Sequence, residues 1–243
     1  MPSGWPDYTT PTWMVLDTSV CTFKEDFLAG LNVDGKLGEY GWRVNAISTG
    51  GNVVTQACTW PHLGVVTLYG GTVADSGMSL FLHRESQFGA LGANAPWQSL
   101  WVFRVVAPTT KTRVRLGWVS GNPSVVQPDN GIWLRFDAAV GFADANFMLC
   151  VRKSSLESEV TYDTGVVADN AWHKLSIRSQ DAGVVYMALD ADAEKSFGPS
   201  GCDVTVTLPS GNLEPGFICA SSDGSGQYLD CDYAAFQAWN MVR

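Results

Sequence analysis

Residues Ala171 to Asp190, AWHKLSIRSQDAGVVYMALD, constrain the chain more than any other stretch. Leu175 and Ile177 fall in one phase of a two-residue period while Lys174, Ser176 and Arg178 take the other, the alternation of a strand with one wet face. Trp172 lies on the polar phase and caps the start of that strand. Gln180 to Gly183 reads as a turn, and Val185, Met187 and Leu189 share a phase on the way back. The stretch predicts a β-hairpin.

Segments of the same kind recur along the chain, bounded by Pro, Gly, Asn or Asp. Gly38 to Val44 leads into a strand, followed by Leu63 to Tyr69, Met78 to Leu82, Leu100 to Val106, Thr112 to Trp118, Gly131 to Phe136 and Phe147 to Arg152. After the hairpin come Asp203 to Leu208, Phe217 to Ala220 and Tyr228 to Trp239. In TRVRLGW, Arg113 and Arg115 alternate with Val114 and Leu116, so one face there is wet or salt-bridged. In the last run Leu229, Cys231 and Tyr233 share a face, with Asp230 and Asp232 opposite. No long window has a 3.6-residue period with helix caps, and Ala138 to Asn146 makes a turn of helix at most. About a dozen short strands without helices between them predict an all-β, antiparallel jelly-roll β-sandwich. A parallel α/β fold is excluded, and the lack of a fixed-period repeat argues against a propeller or solenoid.

The expected organisation is an extended N-terminal arm over residues 1–19, rich in proline and aromatic residues, and a single sandwich domain over 20–243. Hydrophobic residues make up 46% of the 243, enough for a large core. Charged residues are only 16%, with ten tryptophans, against about 25% charged in an ordinary domain. Such a surface suits a protein partly covered by another. The net charge of −9 argues against a nucleic-acid partner, which needs clustered Lys and Arg. No run approaches the roughly 18 apolar residues of a membrane span. The first residues lack a basic region followed by an apolar one, so no signal peptide is expected. Six scattered cysteines without a CxxC pair read as buried thiols of a reducing compartment, with one or more disulfides as the alternative.

Few patterns carry chemistry. Glu157 with Glu159, and Asp230 with Asp232, are carboxylate pairs at i, i+2, the spacing that puts two acids on one strand face. Leu156 to Thr161 (LESEVT) offers no third acid, and solvated faces are the expectation. His62, His83 and His173 show no metal spacing, and zinc, Walker and GxSxG patterns are missing. Asp190, Asp192 and Glu194 are spaced like the start of a calcium loop, but Lys195 stands where that loop needs glycine, and no acid follows at the twelfth place. No catalytic residue or cofactor is expected; the open alternative is a structural calcium held by scattered loop oxygens, as in jelly-roll lectins. If the protein binds sugar, a platform of Trp60, Trp97 and Trp133, with Trp101 and Trp118 nearby, would stack on it; packing in the core is the competing role for each.

Two regions resemble known proteins. EDFLAG…GKLGEYGW…GG…HLGVVTLYGG, from Glu25 to Gly71, followed by VFRVV, RVRLGW and NGIWLRF, resembles an uncharacterised group of tailed-bacteriophage and prophage virion proteins. It departs from that pattern at Tyr40, where Leu is commoner, and at Leu63, where Pro is commoner. VTYDTGVVADNAWHKLSI…VVYMALD…YLDCDYAAF is similar to the W-x-x-L-x-I strand and following hairpin of concanavalin A-like and laminin G-like jelly rolls. Glucanases share that fold, but their E-x-D-x-x-E strand is absent. The resemblance implies a non-enzymatic virion structural protein: capsid decoration, head fibre or tail appendage, bound to other virion proteins and to itself. Such a protein is assembled in the bacterial host cytoplasm. The alternative it implies is a lectin-like adhesin that recognises host surface glycans.

Overall fold

The computed structural model describes residues 20–25, 27, 36–37, 42–48, 52–55, 64–82, 96–120, 127–139, 141–154, 156–179, 183–209 and 213–239. The expected arm at 1–19, Trp60, Cys58, His62 and His83 lie outside these residues. In chain order the strands are β1 (Val20–Glu25), β2 (Lys36–Leu37), β3 (Trp42–Ile47), β4 (Asn52–Thr55), β5 (Val66–Tyr69), β6 (Ser76–Phe81), β7 (Trp97–Val106), β8 (Thr112–Val119), β9 (Gly131–Asp137), β10 (Asn146–Arg152), β11 (Val160–Val167), β12 (Trp172–Ser179), β13 (Val185–Leu189), β14 (Lys195–Gly198), β15 (Val204–Thr205), β16 (Glu214–Ser221) and β17 (Tyr228–Trp239). No helix occurs among the described residues, hence none long and apolar enough to cross a membrane.

Nine strands form one sheet in the order β15-β14-β13-β12-β7-β17-β5-β4, with β1 also pairing with β17, and eight form the other in the order β11-β10-β9-β8-β16-β6-β3-β2. Pairing is antiparallel except between β14 and β15. The β12–β13 hairpin forms in the phase its sequence predicts, with Leu175 opposite Leu189 and Ile177 opposite Met187. It is not a free-standing pair, because β12 also lies against β7 along its full length.

The sheets meet through a seam of aromatic rings contributed by both of them. Trp42, Phe217 and Trp118 come from the eight-stranded sheet, and Trp101, Phe236 and Trp97 from the nine-stranded one. Centroid separations run 5.8 Å from Trp42 to Phe217, 5.0 Å to Trp101, 5.0 Å to Phe236, 5.2 Å to Trp118 and 5.5 Å to Trp97. Most meet edge to face, the arrangement the ring quadrupole favours. Indole N–H groups buried in such a seam need acceptors. Ser99 supplies one for two of them, its hydroxyl accepting from Trp118 (3.0 Å) and Trp101 (3.3 Å) and donating to the Ile177 carbonyl.

The eight-stranded sheet is buried on both faces over β6, β9 and β16. On its outer side the register aligns Phe81, Gly216, Gly117, Trp133 and Cys150 in one row across the strands. A Cβ at Gly216 would stand 2.5 Å from the Phe81 ring, and one at Gly117, where φ is +143°, would stand 2.5 Å from the Ile132 carbonyl. The two glycines therefore make the trough in which the flanking rings lie. The next rows hold Ile218, Arg115, Arg135 and Met148, then Ala220, Arg113 and Asp137. This face thus passes from an apolar end to a charged end.

Three expectations need correction. Tyr233 does not share the core face with Leu229 and Cys231: the register shifts between Cys231 and Tyr233, and Tyr233 packs with Val102 and Ala235 on the other side of the sheet. A bulge inserts a residue and reverses the phase beyond it. The strand expected at Asp203 to Leu208 is reduced to Val204–Thr205. Strands β1, β2, β4, β11 and β14 have no counterpart in the runs read from sequence. The β11 edge is itself bulged, its pairing passing from Asn146–Val167 to Met148–Asp163. Gly165 (φ +73°) turns there and donates its N–H to the Asp163 carboxylate at 2.8 Å.

Gly117→Ala is expected to destabilise the fold by about 1–3 kcal/mol, because it adds both a clash and a disfavoured φ. A urea unfolding midpoint within error of the unsubstituted protein would contradict the trough.

Candidate functional site: a charge-built pocket on the eight-stranded sheet

The alternation that sends Val114, Leu116, Leu134 and Phe136 into the core sends Arg113, Arg115, Arg135 and Asp137 to the other face. Arg115 is 1% exposed and donates from Nη2 to Asp137 at 2.8 Å, while Arg113 Nε stands 3.3 Å from the other Asp137 oxygen. The loop between β9 and β10 then folds over this row. Asp144 takes a two-pronged bond from Arg135, at 2.8 Å from both Nε and Nη2, and accepts from the Asp137 N–H. Its own N–H donates to the Asp137 carbonyl at 3.0 Å, which closes the loop. Phe142, at the loop's tip, lies with its ring 4.3 Å from the Arg135 guanidinium carbon. Glu159, just before β11, pairs with Arg135 from the opposite side.

These charges are placed at a cost. Burial pulls the Arg115 pKa below its ordinary value despite Asp137, and Arg115 Nε and Nη1 have no hydrogen-bond partner. Arg135 is better compensated: burial works against its charge, but the Asp144 bonds and the charges nearby hold its pKa above the usual arginine value. Glu159 Oε2 is buried without a donor. The neighbouring Cys150 thiol donates a hydrogen bond to the Met148 carbonyl (3.5 Å), and burial first, then the Glu159 charge, pushes its pKa well up. Cys150 is fully buried, packed with Phe81 and Trp133.

An open pocket of about 590 Å³ lies above this floor. Arg135 and Glu159 contribute to its lining, with Gln127, Phe142, Arg152 and the segment Leu156 to Glu159 around them. Arg152 ties two of the walls together, donating to the carbonyls of Pro128 (3.2 Å), Ser154 (3.1 Å) and Glu157 (3.0 Å).

The carboxylates singled out in the sequence come to different ends. Glu157 and Glu159 both line the pocket, but they precede β11 and do not share a strand face, and Glu157 sits at the rim with Lys153 at 3.3 Å. Asp230 is buried on the nine-stranded sheet, bonded to Thr67 (2.6 Å) and Arg104 (3.0 Å). Asp190 and Glu194 do not converge on a common point: Asp190 bonds the His173 ring (2.8 Å) and the Lys174 N–H, and Glu194 bonds Arg178 (2.7 Å). Among the described residues no group of three acidic, His or Cys side chains is arranged to hold a metal.

Of the expected tryptophan platform, Trp60 lies outside the described residues and the other two members are buried. Trp133 is fully buried in the trough, and Trp97, 7% exposed, packs edge-on against Trp118 in the seam. A buried indole offers no face to a sugar. An exposed aromatic lies elsewhere: Tyr228, 44% exposed, is on the outer side of the nine-stranded sheet, its ring tilted against that of the half-buried Tyr69 at 5.0 Å. The signal for them was present in the strand phase, since Leu68 and Leu229 point inward and their neighbours must point out. The pocket's loop had no such signal. Cys150, Cys202, Cys219 and Cys231 are free thiols.

Asp137→Asn leaves Arg115 buried without a counter-charge and is expected to cost about 3–5 kcal/mol in urea unfolding. Arg178→Ala, at a more exposed pair, should cost less than about 1 kcal/mol. Equal losses would mean that the buried network is not what its geometry indicates. His173 gives a pH dependence. Burial opposes its charge, but the Asp190 and Asp169 carboxylates outweigh that and raise its pKa. A raised pKa favours the folded state below the unfolded value of about 6.5, and that contribution is lost as pH rises through the folded value. Asp190→Asn should flatten the decline in unfolding midpoint above about pH 6.5; an unchanged slope would remove His173 as its origin.

No protein-family model matches the chain, and no curated protein does. Solved structures share its fold. A protein of unknown function from Shewanella oneidensis MR-1 is 12% identical, with a TM-score of 0.66, over 93% of this chain and 89% of that one. A structure described as HCR/D-Sa-GBL1/C is 8% identical, with a TM-score of 0.53, over 88% of this chain and 48% of its own. The receptor binding domain of botulinum neurotoxin mosaic serotype C/D is 10% identical, with a TM-score of 0.50, over 87% of this chain and 47% of its own. The chain spans about half the length of these last two. At such identities the likeness establishes one thing: the chain is a β-sandwich of the kind these proteins contain.

Proposed function

We propose that the protein is a non-enzymatic structural component of a tailed-phage or prophage virion, a head decoration, head fibre or tail appendage with a concanavalin A-like jelly roll. It attaches by protein–protein contacts, self-associates about a symmetry axis, and is assembled in the bacterial cytoplasm. The observation that carries this reading is the ordered series of motifs from Glu25 to Gly71 and on through VFRVV, RVRLGW and NGIWLRF, which resembles that group along most of the domain. The passive role is supported by the fate of the acids: Asp137, Asp144, Glu159 and Asp230 are each paired with an arginine and serve to hold chain segments in place. The low charge fraction suits a surface covered in an assembly.

A second reading, an adhesin for host surface glycans, is favoured by the open polar pocket, whose amide, guanidinium and carboxylate groups are of the kind that orient a polyhydroxylated ligand. The receptor binding domain that shares the sandwich lends it support of the weaker, architectural kind.

Purified protein added to particles stripped of it should rebind saturably, and light scattering should report an oligomer. A monomer that ignores stripped heads and tails would end the structural reading. Incubation with bacterial polysaccharides should release no reducing sugar, and release abolished by Glu157→Gln would instead make the protein an enzyme.

A further inference from the structure

The pocket over Arg135 is shaped with more care than stability requires. Buried ion pairs contribute little net stability, and this network leaves two nitrogens of Arg115 and one oxygen of Glu159 unbonded. What the network does is hold three separate stretches of chain at fixed positions. Arg135 anchors the β9–β10 loop through Asp144 and the start of β11 through Glu159. Arg152 anchors the Gln127–Pro128 stretch and the β10–β11 connection through their carbonyls. The walls are therefore in place before any ligand arrives, which lowers the ordering cost of binding.

We propose that this pocket binds one unit of an uncharged saccharide. The inference rests on the adhesin reading and names its site and ligand class. Arg135 and Arg152 face Glu157 and Glu159, two positive charges against two negative, so the lining is formally neutral. The chain as a whole carries −9, which disfavours acidic sugars from a distance. The groups at the rim are planar or hydroxylated: the Gln127 amide, the Glu157 carboxylate and the Ser158 hydroxyl. They match the paired donors and acceptors of neighbouring sugar hydroxyls. Phe142 and Leu156 supply apolar surface for the C–H face of a sugar ring, and Leu156, 96% exposed, has no protein packing that would account for it. Phe142 is held in place from beneath by the Arg135 guanidinium. The volume, about 590 Å³, is within the range of small-ligand sites, roughly 300–1,000 Å³.

The test is a glycan array carrying neutral and acidic bacterial oligosaccharides, followed by calorimetry with the best neutral binder on the unsubstituted protein and on Gln127→Ala, Phe142→Ala and Glu157→Gln. Gln127 and Glu157 are exposed at the rim, and a thermal melt on each variant confirms that it folds. The expected result is binding of neutral sugars that weakens about tenfold or more in Phe142→Ala and in at least one rim variant. Neutral-sugar binding that is unchanged in all three variants overturns the site while leaving the adhesin reading intact. Binding confined to acidic sugars overturns the ligand class. Silence across the whole array overturns the adhesin reading, and the inference with it.

Discussion

The structure depends on interlocked aromatic rings contributed by both sheets. Each sheet's inner face is apolar, but apolar residues alone would let one sheet slide on the other. Trp42, Phe217, Trp101, Phe236, Trp118 and Trp97 prevent this, because each ring has its edge or face engaged by a ring from the opposite layer. Ser99 fixes the registry further, since its one hydroxyl serves indoles on β7 and β8 and reaches back to β12. With the inner faces locked, the outer face of β8 and β9 is fixed as well, and the arginines there can be placed to within a hydrogen bond.

That outer face has two halves with different physics. Around Gly117 and Gly216 the backbone is bared so that Phe81 and Trp133 can settle on it, and the gain is ordinary apolar burial. Around Arg115, Arg135 and Asp137 the backbone is covered by charge, and the return is positional: loops that would otherwise sample many conformations are tied to a rigid sheet. The acid side chains here act as counter-ions and tethers.

How much of this could be read from the sequence depended on where the two-residue period holds. In β8, β12 and β13 it holds along most of the strand, and the inward residues are those the pattern predicts. The alternation of Arg113 and Arg115 with Val114 and Leu116 correctly signalled a charged face. The period fails at Tyr233, where a bulge that leaves no clear mark in the sequence reverses the phase. Trp133 was ambiguous for a different reason: β9 is buried on both sides, so neither phase is wet and the pattern cannot say which side faces out. The pocket was invisible because it is made by pairs far apart in sequence, Arg135 with Glu159 and Arg152 with Pro128. Glu157 and Glu159 were singled out as acids with the right spacing, yet their partners, which determine their chemistry, could not be identified without the fold.

The deformed margin at β11 has a consequence for life in a crowd. A straight border strand displays a regular ladder of unused amides and carbonyls that a neighbouring molecule can continue. Here Gly165 breaks the ladder, and the carboxylate of Asp163 occupies an amide that the break would otherwise release. Copies packed side by side on this border would find the ladder interrupted at Gly165. Any ordered array they form then favours side-chain contacts, whose number and geometry can be limited, over a backbone seam that propagates without end.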